Sequence, residues 1–146
     1  MSTIPILPIP EQIHGVSIIC RREGRFLLVE RGKEPLKGYL AFPGGSVEPG
    51  ETATEAALRE LLEETALTAQ RLEHFITLDL ARETRAYAKS YFLSVFRAFD
   101  INGIAQAGDD AVALKWLTVE EMPLYRVTES TLDIARSVAA REDGRR

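Results

Sequence analysis

The start of one helix constrains this chain more than any other feature. Thr52-Ala53-Thr54-Glu55 has the spacing of a capping box, in which the threonine side chain accepts from the amide of Glu55 and the glutamate reaches back. Helix formers follow as far as Thr65, so a helix over 52–65 is predicted. At 100° per residue its faces separate. Leu58, Leu61 and Leu62, with Thr54 and Thr65, cover one side, which is expected to pack on a sheet. Glu60, Glu63 and Glu64 gather on another, preceded on that side by Ala53 and Ala56. Arg59 sits at the border, within reach of Glu55 or Glu63.

Three carboxylates on one face repel one another by a few tenths of a kcal/mol per close pair. A hard divalent cation removes that penalty, and Mg²⁺ commonly shares a site with substrate phosphates. The two alanines are expected to leave room for a bulky anion, and Gly44-Gly45 ahead of the helix lets backbone approach closely. Read alone, a glutamate-rich face is equally a solvated helix surface, and a double glycine is equally ordinary turn chemistry.

The rest of the chain supplies the sheet. Strands are predicted at Val16–Cys20 and Phe26–Val29, forming a hairpin about the polar turn Arg21–Gly24, and at Gly38–Phe42, His74–Leu80, Tyr87–Phe99 and Ala111–Leu117. A short helical turn is predicted at Thr118–Met122. A final amphipathic helix over Thr128–Ala140 carries Leu132, Ala135, Val138 and Ala139 on one side. Strands with two helices imply an α/β (α+β) layer fold. With 146 residues, one domain spanning 1–146 is expected, residues 1–12 forming an extended arm and 141–146 a polar tail.

Charge and cysteine usage narrow the function. The 22 acidic residues outnumber the 18 basic ones, which argues against a polymeric nucleic acid bound on a broad basic surface, though not against a small anion bridged by a cation. Cys20 stands alone, so neither an internal disulfide nor a cysteine-rich zinc site is available. No stretch approaches the apolar length of a membrane helix, and the proline-interrupted Met1–Pro10 does not resemble a signal peptide. A cytoplasmic protein is expected. Homodimers being the commonest oligomers, a homodimer whose apolar arm crosses to the second subunit is a further expectation.

Taken together, Gly45, Glu51, Arg59-Glu60-Leu61, Glu63-Glu64 and Ala66-Leu67 resemble the Nudix box, G-x5-E-x7-R-E-U-x-E-E-x-G-U, where U is a bulky aliphatic residue. Every fixed position matches except Ala66, which stands where the family has glycine. Left-handed backbone is common just past a helix, so either an alanine there keeps that conformation at a cost of about 1–2 kcal/mol or the helix ends differently; no carboxylate is lost. Phe42-Pro43-Gly44 and the strand order extend the resemblance from about Gly15 to Ala140.

The resemblance implies an α/β/α sandwich with a central mixed sheet. It also implies Mg²⁺- or Mn²⁺-dependent hydrolysis of the diphosphate of a small nucleotide derivative. Carried over, Glu60, Glu63 and Glu64 are the metal-binding and catalytic carboxylates. The Gly44 carbonyl is a further ligand and Glu51 an auxiliary one, while Arg59 orients Glu60 or Glu63. Asp110, beside Asp109, falls where some members carry the proton acceptor, and is equally an ordinary turn residue; Glu83 is a weaker candidate. For the substrate, Arg31, Phe42 and Arg82 are the candidate contacts, among a wider set of Tyr39, Tyr91, Phe92, Lys33, Lys37 and Arg85, the aromatics being equally readable as core and the cations as solvated surface. His14 and His74 have no visible partner, and Trp116 is expected to be buried. ADP-ribose or a similar compound is the expected substrate. A (d)NTP pyrophosphatase is the alternative, and a non-catalytic nucleotide sensor a third reading.

Overall fold

The computed structural model describes residues 11–34, 36–80, 89–108 and 111–144. In chain order these form β1 (Glu11–Ile19), β2 (Arg21–Arg22), β3 (Arg25–Arg31), β4 (Leu40–Ala41), β5 (Gly44–Ser46), α1 (Ala53–Thr65), β6 (Thr68–Asp79), β7 (Lys89–Asn102), β8 (Ala111–Leu117), a single 3-10 turn (Met122–Leu124) and α2 (Glu129–Asp143). The strands make two four-stranded sheets. One has the order β5-β1-β7-β6, with β1 and β7 parallel and the other pairs antiparallel, so it is mixed. In the other, β8 runs along β3 from Phe26↔Leu117 to Arg31↔Ala111, while β2 and β4 pair with the two ends of β3.

Alternation along the strands feeds two cores. Val16, Ile18, Cys20, Leu27, Phe96 and Ala98 pack with Ala56, Ala57 and Leu61 of α1. Their neighbours Ile19, Phe26, Leu28 and Val95 pack with Ile134, Ala135 and Val138 of α2 on the opposite side. The strand layer is therefore enclosed between the two helices, as expected. Leu61 is fully buried and contributes about 2 kcal/mol over an exposed position.

Several local expectations are corrected. β1 pairs with β5 and β7 rather than with the next long strand; the hairpin is made by β2 and β3. Glu11 and Gln12 belong to β1 instead of an arm, because they continue the parallel ladder to Lys89 and Ser90. Residues 141–143 extend α2 instead of fraying. Cross-strand pairing likewise carries β6 back to Thr68 and β7 on to Asn102, past the predicted limits at His74 and Phe99, while β6 stops at Asp79 instead of Leu80. The short helical turn moves forward to include Pro123, and Trp116 is half-buried, with the Arg22 guanidinium over its ring. Residues 1–10, the start of the predicted 87–99 strand, and residues 145–146 lie outside the described residues.

The largest correction concerns the orientation of α1. Leu58 and Leu62 are 37% and 52% exposed, whereas Ala56, Ala57, Leu61, Glu64 and Thr65 are buried. The alanines are core contacts, not space for an anion. Their small side chains let α1 lie close to the sheet.

The capping box at Thr52 and Glu55 is formed in full, and Ala66 closes the helix at φ 63, ψ 11 with its N–H bonded to the Leu62 carbonyl. Left-handed backbone is costly for alanine and costless for glycine. Ala66→Gly is expected to raise unfolding stability by about 1 kcal/mol, read from the midpoint of a urea titration. An unchanged or lowered midpoint would show that Ala66 bears no strain.

Candidate active site

The site grows from the contact between β5 and α1. β5 pairs Gly44, Gly45 and Ser46 with Ser17, Val16 and Gly15. A Cβ at Gly44 would stand 2.0 Å from the Val16 carbonyl oxygen, so only glycine permits this pairing. A Cβ at Gly45 would stand 2.4–2.7 Å from the carboxylate atoms of Glu60. The Glu60 side chain therefore lies directly on the backbone of Gly45. One residue earlier, the Gly44 N–H donates to Oε1 of Glu64 at 2.8 Å, and Glu64 is 7% exposed. Two of the three clustered glutamates are thus turned inward onto the double glycine. Their docking explains the rotation of α1.

Arg59 ties this contact to the preceding loop. Its Nε and Nη2 donate to the two carboxylate oxygens of Glu51 at 2.7 and 3.0 Å. Its Nη1 donates to Glu60 at 2.7 Å and to Glu63 at 3.2 Å, and Nη2 also reaches the Ser46 carbonyl at 3.0 Å. These bonds engage all of the guanidinium's N–H groups. Glu55, the other partner expected from spacing, is occupied by the capping box. The guanidinium, helped by the Glu48 amide, pulls the Glu51 carboxyl down from 4.5 to about 2, and Glu51 in turn pushes Arg59 further up.

The donor set consists of hard oxygen atoms, which fits a small divalent cation in chemistry. In the geometry present, Arg59 holds Glu51, Glu60 and Glu63, and among the described residues no three acidic, histidine or cysteine side chains converge on a common centre. Glu63, at 41% side-chain exposure, is the most open of the three clustered glutamates.

A second loop covers the end of α1. Gln106 and Gly108 donate their amides to the carbonyls of Thr65 and Glu64 at 2.8 and 3.1 Å. A Cβ at Gly108 would lie 2.7 Å from the Glu63 carbonyl oxygen. Asp109 and Asp110 follow immediately but lie outside the described residues, as do Arg82, Glu83 and Arg85. Arg31 ends β3, its amide bonded to the Tyr39 carbonyl. Phe42, a candidate substrate contact, is instead 4% exposed and packs with Phe26 in the α2-side core.

Both histidines have partners that the sequence does not reveal. His14 Nε2 hydrogen-bonds Ser94 at 2.8 Å, and its ring stacks on Phe92 at 4.4 Å. His74 Nε2 bonds Thr77 at 2.7 Å, and Thr77 lies 3.4 Å from Ser94. The chain joins three strands, and only the register of β6 and β7 with β1 brings it together. Period-two alternation with Val16 and Ile18, which places His14 on the α1 side, was the one signal available.

A mixed strand layer between two helices, with an acidic helix docked on a double glycine, defines the class. The NUDIX domain family model matches residues 12–138. The chain is 33% identical over 110 residues to an ADP-ribose pyrophosphatase of Methanocaldococcus jannaschii, an alignment that covers 75% of this chain and 63% of that protein. The chain thus spans under two thirds of that relative's length. It is also 32% identical over 136 residues to phosphatase NudJ of Escherichia coli K12, covering 90% of this chain and 84% of that one. The crystal structure of a MutT NUDIX hydrolase from Burkholderia pseudomallei superposes with a TM-score of 0.76 at 25% identity, covering 87% of this chain and 97% of that one. The chain belongs to the Nudix hydrolase family. No helix among the described residues is long and apolar enough to cross a membrane.

The depressed Glu51 carboxyl carries a pH signature. Its folded value lies below the ordinary 4.5, so its stabilisation is complete above that pH and is lost as pH falls toward about 2. The melting-temperature gap between the wild type and Glu51→Gln is therefore expected to be constant near neutrality. It should narrow as pH drops below 4.5. A gap independent of pH would remove the charge from these contacts.

Proposed function

We propose that this protein is a divalent-metal-dependent pyrophosphohydrolase acting on ADP-ribose or a similar nucleoside diphosphate derivative. The observation that carries this reading is the docking of Glu60 and Glu64 on Gly45 and Gly44, with Glu63 on the same helical face. Glu60, Glu63 and Glu64, with the Gly44 carbonyl, would hold Mg²⁺ or Mn²⁺, Glu51 serving as an auxiliary ligand. When bound, such a cation neutralises diphosphate charge and lowers the pKa of water. Arg59 acts as a positioning residue, since its hydrogen bonds set the carboxylates of Glu60 and Glu63.

Asp110 is the proposed proton acceptor. Gly108, two residues before it, is held against the Glu63 and Glu64 carbonyls, which supports that role. Arg31, at the end of β3, and Arg82 are proposed to meet the phosphates or the terminal ribose. The 33% identity to an archaeal ADP-ribose pyrophosphatase supports the substrate class.

A panel of nucleotides incubated with Mg²⁺ or Mn²⁺, with products identified, tests the reading. AMP plus ribose phosphate from ADP-ribose is the expected outcome. Monophosphate plus pyrophosphate from nucleoside triphosphates would make the protein a (d)NTP pyrophosphatase, and tight binding without turnover would make it a sensor. Glu63→Gln and Glu64→Gln are each expected to lower kcat/KM by about 100-fold or more, because even outer partners of metal ligands contribute about 10–100-fold. Near-wild-type rates from both folded variants would overturn the metal-site assignment.

A further inference from the structure

A second cluster of charge lies where β2, β7 and the last turn of α2 meet. Arg21 and Arg97 hold the carboxylate of Glu142 between them, each guanidinium donating to a different oxygen. Asp143 stands 3.6 Å from Arg21. The Arg21 and Arg97 side chains are only 15% and 26% exposed. Together with Arg22 and the ring of Phe99 they line a cavity of about 440 Å³. Arg97 also lies over that ring, its guanidinium carbon 5.1 Å from the centroid.

Two features of this cluster are unexplained by a simple ion pair. First, acidic residues are disfavoured at a helix C-terminus, where the backbone already carries partial negative charge. Glu142 and Asp143 occupy that turn of α2, so its docking depends on the guanidiniums rather than on the helix. Second, Arg21 Nε is buried and has no hydrogen-bond partner among the described residues. An unsatisfied buried donor is costly and calls for an explanation. A carboxylate offers two oxygens in one plane. A tetrahedral oxyanion offers more acceptors in three dimensions and matches several guanidinium forks at once.

We propose that Arg21, Arg22 and Arg97 form a second anion site, for a phosphate or pyrophosphate group, which Glu142 plugs with its own carboxylate. Anion binding and docking of the last turn of α2 then exclude each other. Asp143 leaves with Glu142, because both belong to that turn. The acids that remain on the cavity wall, Glu23 and Asp100, are both exposed and screened by water. Three guanidiniums then outweigh them. The proposal does not depend on the reading of the glutamate site, since none of the glutamates bound to Arg59 lines this cavity.

The test titrates metal-free protein in EDTA with inorganic phosphate and with pyrophosphate, against chloride at matched ionic strength. Binding is followed through the arginine Nε–H resonances. E142Q, which removes the competing charge, is expected to bind pyrophosphate at least about tenfold more tightly than wild type, since affinity scales with the fraction of open site. R21A in the E142Q background is expected to abolish that binding. If R21A does not fold, R97K keeps the charge, loses the fork, and is expected to weaken binding several-fold. Equal affinity in wild type and E142Q, or E142Q affinity that survives both arginine changes, would overturn the proposal. So would loss of pyrophosphate binding in Glu63→Gln, which would place the anion at the glutamate helix.

Discussion

The guanidinium of Arg59 is the interaction on which the rest of the site depends. It sits among oxygen atoms from three places in the chain: Glu51 in the loop, the Ser46 carbonyl on β5, and Glu60 and Glu63 on α1. Without a cation there, like charges on one helical face repel and would turn toward water. With it, the acidic face can be drawn against the sheet. A lysine could supply the charge but not the planar fork that grips both oxygens of Glu51 while reaching two further carboxylates. The arginine therefore fixes the loop before the helix, and the loop carries the capping box that starts the helix.

The double glycine sets how close the acidic face comes. Glu60 and Glu64 are four residues apart, about 6 Å along a helix axis. The residues they meet, Gly45 and Gly44, are adjacent, about 3.3 Å apart along a strand. The two side chains must therefore lean toward each other as they descend to the backbone. A side chain on Gly45 would fill the space where Glu60 arrives, and one on Gly44 would strike the Val16 carbonyl and break the pairing that holds β5 in place. Convergence of carboxylates follows from this mismatch of repeats, and the small Ala56 and Ala57 beside them allow the helix to approach.

Local rules were legible in the sequence wherever the partners lay within a few residues. The capping box and the helix limits follow from short spacings, and both appear in the structure, which also settles the open choice at Ala66 in favour of the left-handed conformation. The spacing of the glutamates made the candidate site legible for the same reason. What could not be read depends on partners far along the chain. Leu58 and Leu62 appeared to be the packing face because they are the larger apolar residues. The helix rotates away from them because Glu64 accepts from the backbone of a strand twenty residues earlier and Glu60 lies against that same strand. Likewise, β1 passes over the nearest strand to pair with β7, and only that pairing brings Ser94 to His14. Phe42 carried two readings in the sequence, substrate contact or core, because an aromatic residue beside a site motif can as easily point through the sheet to the opposite core, and the structure places it in that core.

Under the proposed reading a cation must compete with Arg59 for Glu60 and Glu63, and the strengths of the contacts decide how that competition ends. Glu51 holds the guanidinium through two parallel hydrogen bonds, and its carboxyl is depressed to about 2 by them. Glu63 is bound through a single longer contact and is the more exposed. Glu63, and after it Glu60, are therefore the carboxylates that Arg59 would most readily yield to a cation, while Glu51 and the Ser46 carbonyl keep the guanidinium in place. The arginine then remains beside the carboxylates as a fixed positive charge. Glu51 thus anchors the group that orients the other glutamates, a role that requires no direct contact with substrate.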